Sequence, residues 1–236
     1  MSQKNWSFSR TKAITFGASE LIENFGTWVV TYVEAFVVVA FSILPTGYFL
    51  WRDFYQELQE SPFKIIALVD HVKNMETSSL IYLSISVAVA GLVTCWMWMG
   101  MKRIALDFYM KKETGAYRLF VEPALALNYF IATILFAAVV GVGLIFMIVP
   151  GVMAFVTFRF YGPAIVEHKY GPLKALSYSF AITAGKRMEV FIFILLTVLL
   201  SKMAGIFSVL GLPFILLTDI YFYKKLEEHY GAKKSL

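Results

Sequence analysis

Long apolar runs with almost no charged residues limit this chain more than any other feature. No charged residue lies between Glu122 and Arg159, and the run is continuous rather than alternating. Over the whole chain, 59% of residues are hydrophobic and 16% are charged, whereas about a quarter are charged in a soluble domain. A lipid bilayer can accommodate this much apolar surface, and continuous runs favour helices. The sequence therefore predicts an all-α, polytopic membrane protein.

The apolar runs divide into six predicted transmembrane helices joined by more polar connections. Trp, Tyr, Lys and Arg flank several of them, as is typical of membrane–water interfaces. The predicted spans are about 26–50, 79–99, 129–149, 152–165, 190–207 and 212–225.

Two further segments are predicted to be amphipathic helices on the membrane surface. The apolar face of the first, over residues 9–25, consists of Ile14, Ala18, Leu21 and Phe25. The second begins at Pro172 and stops at Gly185, and its apolar face consists of Leu173, Leu176, Phe180 and Ala184. The predicted organisation is an interfacial segment over 1–25, a six-helix domain over 26–230 and a basic tail over 231–236.

Lysine and arginine are distributed unevenly among the connections. Sixteen of the 21 lie in the N-terminus, residues 102–123, residues 165–187 and the C-terminus, against three in the opposite connections. The positive-inside rule therefore predicts that both termini are cytoplasmic. The net charge of +5 is explained by this orientation, so no nucleic-acid partner is predicted.

Three ionisable residues lie well inside predicted spans: Glu34, Arg159 and Asp219. A charge near the bilayer centre costs about 2.5–3.5 kcal/mol, so such a residue normally finds a partner. We expect Arg159 to pair with Asp219, with Glu34 as the alternative acid. The three form either an ion pair that fixes helix packing or the polar core of a transport path.

Pro150 and Gly151 interrupt the apolar run between the third and fourth spans. Proline has no N–H and glycine accepts positive φ, so a chain can reverse there without exposing polar backbone to lipid. The pattern predicts a tight helical hairpin at these two residues. A discontinuous helix that frames a transport site would have a similar pattern.

Basic residues cluster around the second amphipathic helix: Lys169, Lys174, Lys186 and Arg187. Such residues can contact anionic lipid headgroups on the cytoplasmic face. The positive-inside bias alone explains the same residues.

Signatures of catalysis and metal binding are scarce in this sequence. His71, His168 and His229 are isolated, and they show no metal-ligand spacing. Glu167 beside His168 is a weak acid–base candidate, which with Arg159 would describe an enzyme acting on headgroups. The sequence favours a protein that is not an enzyme and has no metal and no cofactor.

The chain from about Trp98 to Leu226 resembles the YciC-like bacterial inner-membrane proteins, which are related to the membrane domain of some glycerophosphoryl diester phosphodiesterases. The resemblance rests on "MGMKRIALDFYMKKETGAYRLF" and on the segment from "LNYFIATILF" to "ALSYSFAITAGK". The positions that match the family pattern are Pro150, Gly151, Arg159, Gly171, Ala175, Leu176 and Ser179. The resemblance implies six helices, a cytoplasmic surface helix and an inner-membrane location, and it transfers no catalytic residue.

Taken together, these features favour a non-enzymatic membrane protein that scaffolds or modulates envelope or lipid-handling partners. Its expected partners are membrane lipids with anionic headgroups and a protein in the same membrane. The alternative is a small transporter or channel for a lipid or amphiphile that uses the charged residues inside the spans.

Overall fold

The structure, a computed structural model, describes residues 9–60, 77–203 and 208–234. These residues form helices and connecting turns, with no strand among them. In chain order the helices are α1 (Arg10–Glu23), α2 (Phe25–Glu60), α3 (Thr77–Tyr109), α4 (Pro123–Phe146), α5 (Ile148–Phe158), α6 (Tyr161–His168), α7 (Pro172–Thr183), α8 (Arg187–Met203) and α9 (Ser208–Lys234). A 3-10 turn covers Ala116–Leu119 between α3 and α4.

Four segments of the described chain are long and apolar enough to cross a membrane. They are Phe25–Tyr48, Thr77–Tyr109, Pro123–Phe146 and Ile148–His168. Many of their large apolar side chains face outward, with Phe36 74% exposed and Ile145 84% exposed. An outer surface of this kind suits lipid. The all-helical class predicted from the sequence is therefore confirmed, with four candidate membrane-spanning helices in the described chain.

The predicted fifth and sixth spans fall on α8 and α9. The described part of α8 has 17 residues, residues 204–207 lie outside the described residues, and the C-terminal half of α9 is rich in charged residues. The number six therefore stays a prediction. The predicted basic tail continues α9 as helix to Lys234.

The predicted polar connection over 102–123 is wrong at its start, because α3 continues as helix to Tyr109. Ile104, Ala105 and Phe108 are buried there, and they continue the helical spacing of Met97 and Met101. The sequence prediction ends the span before its first charged residues, Lys102 and Arg103. Burial of an apolar face keeps the helix intact beyond them.

The predicted reversal at Pro150-Gly151 is also wrong in position. The chain turns at Met147, which is extended, and both predicted residues lie in the first turn of α5. Proline is tolerated in the first turn because its missing N–H would have no partner within the helix. Gly151 allows close packing instead: a Cβ there would lie 2.5 Å from the Leu144 side chain, and one at Gly143 would lie 2.8 Å from Gly151 Cα.

The fourth span is interrupted in its middle, where α5 ends at Phe158 and α6 begins at Tyr161. The backbone groups freed by this break are satisfied by hydroxyl groups of α7. Phe160 N–H donates to Ser179 Oγ over 3.1 Å, and Ser179 Oγ donates to the Thr157 carbonyl over 2.8 Å. Thr183 Oγ1 donates to the same carbonyl. The broken helix therefore depends on α7 as a packing partner.

The predicted apolar faces of α1 and α7 differ from the faces that the structure buries. In α1 the most buried residues are Ala13 and Gly17, and a Cβ at Gly17 would lie 2.7 Å from Thr218 Oγ1 of α9. In α7 the buried residues are Ala175, Leu176, Ser179, Ile182 and Thr183. Leu173 and Phe180 are exposed instead, and Phe25 belongs to α2. Both helices pack against protein, and their interfacial location stays a prediction.

Candidate functional site

A cavity of about 220 Å³ opens between α3, α4, the α5–α6 break and α9. Its walls are mainly aromatic and aliphatic, including Trp98, Phe136 and Phe155. Three charged side chains reach it: Lys102, Arg159 and Asp219. A few convergent polar groups in an apolar pocket are typical of ligand sites, and this volume is below the roughly 300 Å³ of the smallest drug-sized pockets. The cavity suits a small group such as a lipid headgroup.

Arg159 and Asp219 form an ion pair in this cavity, so the pairing predicted from the sequence is present. The Arg159 Nη2 atom lies 2.5 Å from Asp219 Oδ2, and the side chains are 19% and 17% exposed. Within the described residues, Arg159 Nε and Asp219 Oδ1 are inaccessible and have no hydrogen-bond partner. The pair therefore neutralises two charges and leaves hydrogen-bonding capacity unused.

Lys102 is the second cation of the cavity, and it faces aromatic rings. Its Nζ lies 5.3 Å from the Tyr129 ring centroid and 5.7 Å from that of Tyr161. A Cβ at Gly162 would lie 2.4 Å from this Nζ, so the absence of a side chain there makes room for the ammonium group. No carboxylate of the described chain lies within ion-pair distance of Lys102. Cation–π contacts partly replace its hydration.

The charge balance of the cavity follows from these contacts. Two cations and one carboxylate line it, so one positive charge is uncompensated by the described lining. In a low-dielectric environment such a site attracts an anion strongly. Arginine and lysine are also the side chains that bind phosphate oxygens in proteins. The arrangement can therefore hold one anionic group of modest size.

Glu34, the alternative acid, is not among the residues that line the cavity. Its Oε2 atom is inaccessible and has no hydrogen-bond partner among the described residues. The structure thus brings together two of the three predicted intramembrane residues and places the third elsewhere.

The four predicted headgroup contacts have different surroundings in the structure. Lys169 pairs with Glu122 over 3.1 Å, and Lys186 pairs with Glu189 over 3.0 Å. Lys174 lies over the Tyr170 ring, and the Arg187 guanidinium lies 4.8 Å from the Phe180 ring centroid. Two of the four are thus already neutralised by acids.

A second polar cluster, the Glu227 cluster, joins the end of α6 to α7 and α9. It consists of Glu167, His168, Tyr178, Lys224 and Glu227. Glu227 Oε1 lies 2.6 Å from His168 Nε2 and accepts from Tyr178 over 2.7 Å. Lys224 Nζ lies 2.5 Å from carboxylate oxygens of both Glu167 and Glu227. Glu167 and His168, the weak acid–base candidate of the sequence, are thus held in a half-buried network.

The Glu227 cluster contains two carboxylates and an imidazole within 4.8 Å of one another, a set that could hold a metal ion. The Lys224 ammonium already contacts both carboxylates, so a metal would have to displace it. Burial alone would raise the pKa of Glu227, but hydrogen bonds from Lys224, Tyr178 and His168 outweigh it and lower that pKa. These contacts hold the end of α6 against α7 and α9. His71 lies outside the described residues.

Sequence reasoning missed Lys102 and the Glu227 cluster. The signal for Lys102 was available, because the apolar spacing through Phe108 places this residue inside a helix. The cluster had no local signal, since Lys224 and Glu167 are 57 positions apart in the chain.

In comparisons with known proteins, no family model, no curated protein and no solved structure matches this chain.

Proposed function

We propose that this chain is a non-enzymatic integral membrane protein that binds an anionic amphiphile, with the headgroup in the cavity of Lys102, Arg159 and Asp219. The charge balance of this cavity, two cations against one carboxylate, is the observation that carries the proposal. Its apolar walls and small volume favour a headgroup attached to a lipid tail over a large soluble ligand. Binding of this kind is how the protein would modulate lipid-handling partners.

The proposal includes a location and a topology. The chain is a YciC-like protein of the bacterial inner membrane, with six spans and both termini in the cytoplasm. The bias of lysine and arginine supports this orientation.

Labelling with an impermeant maleimide tests the orientation. Single cysteines are introduced at Lys112, Met147 and Gly231 in a Cys95→Ser background. We expect Lys112→Cys and Gly231→Cys to react only in inverted vesicles and Met147→Cys only in right-side-out vesicles.

Headgroup binding is tested by titrating short-chain phosphatidylglycerol and short-chain phosphatidylcholine into the detergent-solubilised protein. We expect the anionic lipid to bind more tightly, and Lys102→Met to weaken it by about tenfold through loss of a charge-assisted contact. Lys112→Met is the matched control, because Lys112 is exposed and remote from the cavity. Equal affinity for the two lipids, unchanged by Lys102→Met, would refute the proposal.

Transport of the amphiphile is the second candidate function. The observation that favours it is the interrupted fourth span, since broken helices frame the substrate sites of many transporters. Flux of a fluorescent anionic lipid between the leaflets of proteoliposomes distinguishes the two functions. Flux that Arg159→Ala abolishes would favour transport; binding without flux would favour modulation.

A further inference from the structure

A large apolar groove lies between α5 and the start of α8, separate from the charged cavity. Its volume is about 840 Å³, within the roughly 300–1,000 Å³ of ligand pockets. One wall consists of α5 residues between Ile148 and Val156, and the other of Met188 and Phe191. Ala184 and Gly185, from the turn between α7 and α8, also line it. We call it the α5–α8 groove.

Arg187 is the one charged residue among the described residues that line this groove. Its guanidinium rests on the Phe180 ring, and its Nε is inaccessible and unbonded within the described chain. No acid of the described chain lies within ion-pair distance of Arg187, and the nearby Glu189 pairs with Lys186. The described lining of the groove is therefore apolar apart from one positive charge.

The wall of the groove also lies on a segment that can cross a membrane, Ile148–His168. Ile148 and Val149 are 74% and 69% exposed, and Met188 is 70% exposed. In a bilayer these side chains are in contact with acyl chains. Lipid tails are as apolar as the groove, so contact with tails alone gives no selectivity among lipids. Selectivity requires the charge at Arg187.

We propose that the α5–α8 groove binds one acyl chain of a phospholipid whose anionic phosphate headgroup contacts Arg187. A cation at the membrane surface contributes about 1 kcal/mol to binding of an anionic lipid, which corresponds to about a fivefold preference. This site is independent of the charged cavity, because the two share no lining residue.

Photolabelling of the full chain in nanodiscs tests the proposal. The probes are phosphatidylglycerol and phosphatidylcholine, each with a diazirine on one acyl chain, and the labelled peptides are identified by mass spectrometry. We expect phosphatidylglycerol to label the peptides with Met153 and Met188 about fivefold more than phosphatidylcholine. Arg187→Gln should remove this preference, whereas Lys112→Gln, a change at an exposed cation outside the groove, should preserve it.

A space-filling variant tests occupancy of the groove itself. Met153→Trp should reduce labelling of the Met188 peptide, and Ile145→Trp is the matched control on an exposed surface outside the groove. Equal labelling by both lipids, or equal effects of the two tryptophans, would mean ordinary annular lipid and would overturn the proposal. Protection of both peptides by a crosslinked polypeptide would overturn it in favour of a protein occupant. These outcomes are distinguishable from a failure of the charged cavity to bind a headgroup. Lys102→Met tests that cavity and changes no residue that lines the groove.

Discussion

At the residue scale, the Arg159–Asp219 pair combines a structural and a binding role. Both side chains are mostly buried, so neither charge can be fully hydrated. Each nevertheless keeps one inaccessible polar atom without a partner in the described chain. Leaving such atoms unbonded costs free energy, which an ordered water would recover at either atom and a bound phosphate only by accepting from Arg159 Nε. The same pair can therefore stabilise the bundle and prepare the cavity for a ligand.

Removing either partner of this pair should destabilise the protein. We expect Arg159→Ala and Asp219→Asn each to lower the free energy of unfolding by roughly 2 to 4 kcal/mol, because each leaves a partly buried charge without its direct ion-pair partner. A double-mutant cycle in mixed micelles should give a coupling energy of about 1 kcal/mol or more.

Glu34 supplies the control for this cycle. Glu34→Gln should show no coupling to Arg159→Ala, since the structure does not pair these residues. Coupling between these two, with none between Arg159 and Asp219, would show that the wrong acid has been assigned.

At the scale of the elements, two close contacts position the cavity wall. The α4–α5 hairpin brings backbone against backbone at Gly143 and Gly151. The α5–α6 break, whose freed backbone groups bond to Ser179 and Thr183, presents Arg159 to α9. Both contacts depend on small or hydroxyl side chains, because larger ones would separate the helices.

Adding one methyl group to the hairpin should separate these helices. Gly143→Ala places a Cβ 2.8 Å from Gly151 Cα, so we expect a loss of about 1–3 kcal/mol in the free energy of unfolding. Gly141→Ala is the matched control, because a Cβ there meets no atom within 4 Å. That variant should be neutral or more stable by up to about 1 kcal/mol through helix propensity. Equal destabilisation by the two substitutions would contradict the close packing.

Removing one hydroxyl group tests the support of the broken helix. Ser179→Ala leaves the Phe160 N–H without its acceptor, and we expect a loss of about 1–3 kcal/mol. Ser177→Ala, the same change on the exposed side of α7, should cost less than about 0.5 kcal/mol. Thermal unfolding of both variants in one detergent makes the comparison. If Ser177→Ala costs as much as Ser179→Ala, the hydrogen bond to Phe160 contributes nothing.

At the scale of the whole molecule, the Glu227 cluster links segments that are distant in the chain. It holds the end of α6 to α7 and to the C-terminal half of α9, the helix that also carries Asp219. Because this network joins the three helices, we expect α6, α7 and α9 to unfold as one cooperative unit. Loss of the network should therefore destabilise the cavity as well as the helix ends.

The lowered pKa of Glu227 predicts how stability depends on pH. Because the folded pKa lies below the unfolded value of about 4.3, Glu227 stabilises the fold at neutral pH. This contribution is lost as the pH falls from about 4.3 towards the folded pKa. His168, Tyr178 and Lys224 face the carboxylate directly, and Glu167 faces it through Lys224. We expect the thermal midpoint of the native protein to fall between pH 7 and pH 3.5.

Substitution of Glu227 separates its contribution from that of other carboxylates. Glu227→Gln should be less stable than the native protein at pH 7 and should lose less stability on acidification. Glu228→Gln is the control, since the Glu228–Lys225 pair is largely exposed and such pairs contribute little. An acid-induced loss of the same size in Glu227→Gln and the native protein would rule out this role.

Composition and spacing by themselves determined the class of this protein. The bilayer responds to local properties of a segment, namely its length, its apolarity and the position of its charges, and these can be counted along the chain. The candidates for an intramembrane ion pair were found in the same way, because any charge in an apolar run needs a partner. For this reason Arg159 and Asp219 could be named as partners before any distance was known.

Tertiary structure alone decided where the helices end and which groups meet. Burial against other helices extends α3 through Lys102 to Tyr109, and the hairpin turn lies at Met147 instead of Pro150-Gly151. Arg159 and Asp219 are 60 positions apart, so their pairing depends on how α5, α6 and α9 pack. The cavity, the α5–α8 groove and the Glu227 cluster depend on the same packing. Each of these features is defined by distances between segments that are far apart in the chain. A local pattern of residues contains no information about those distances.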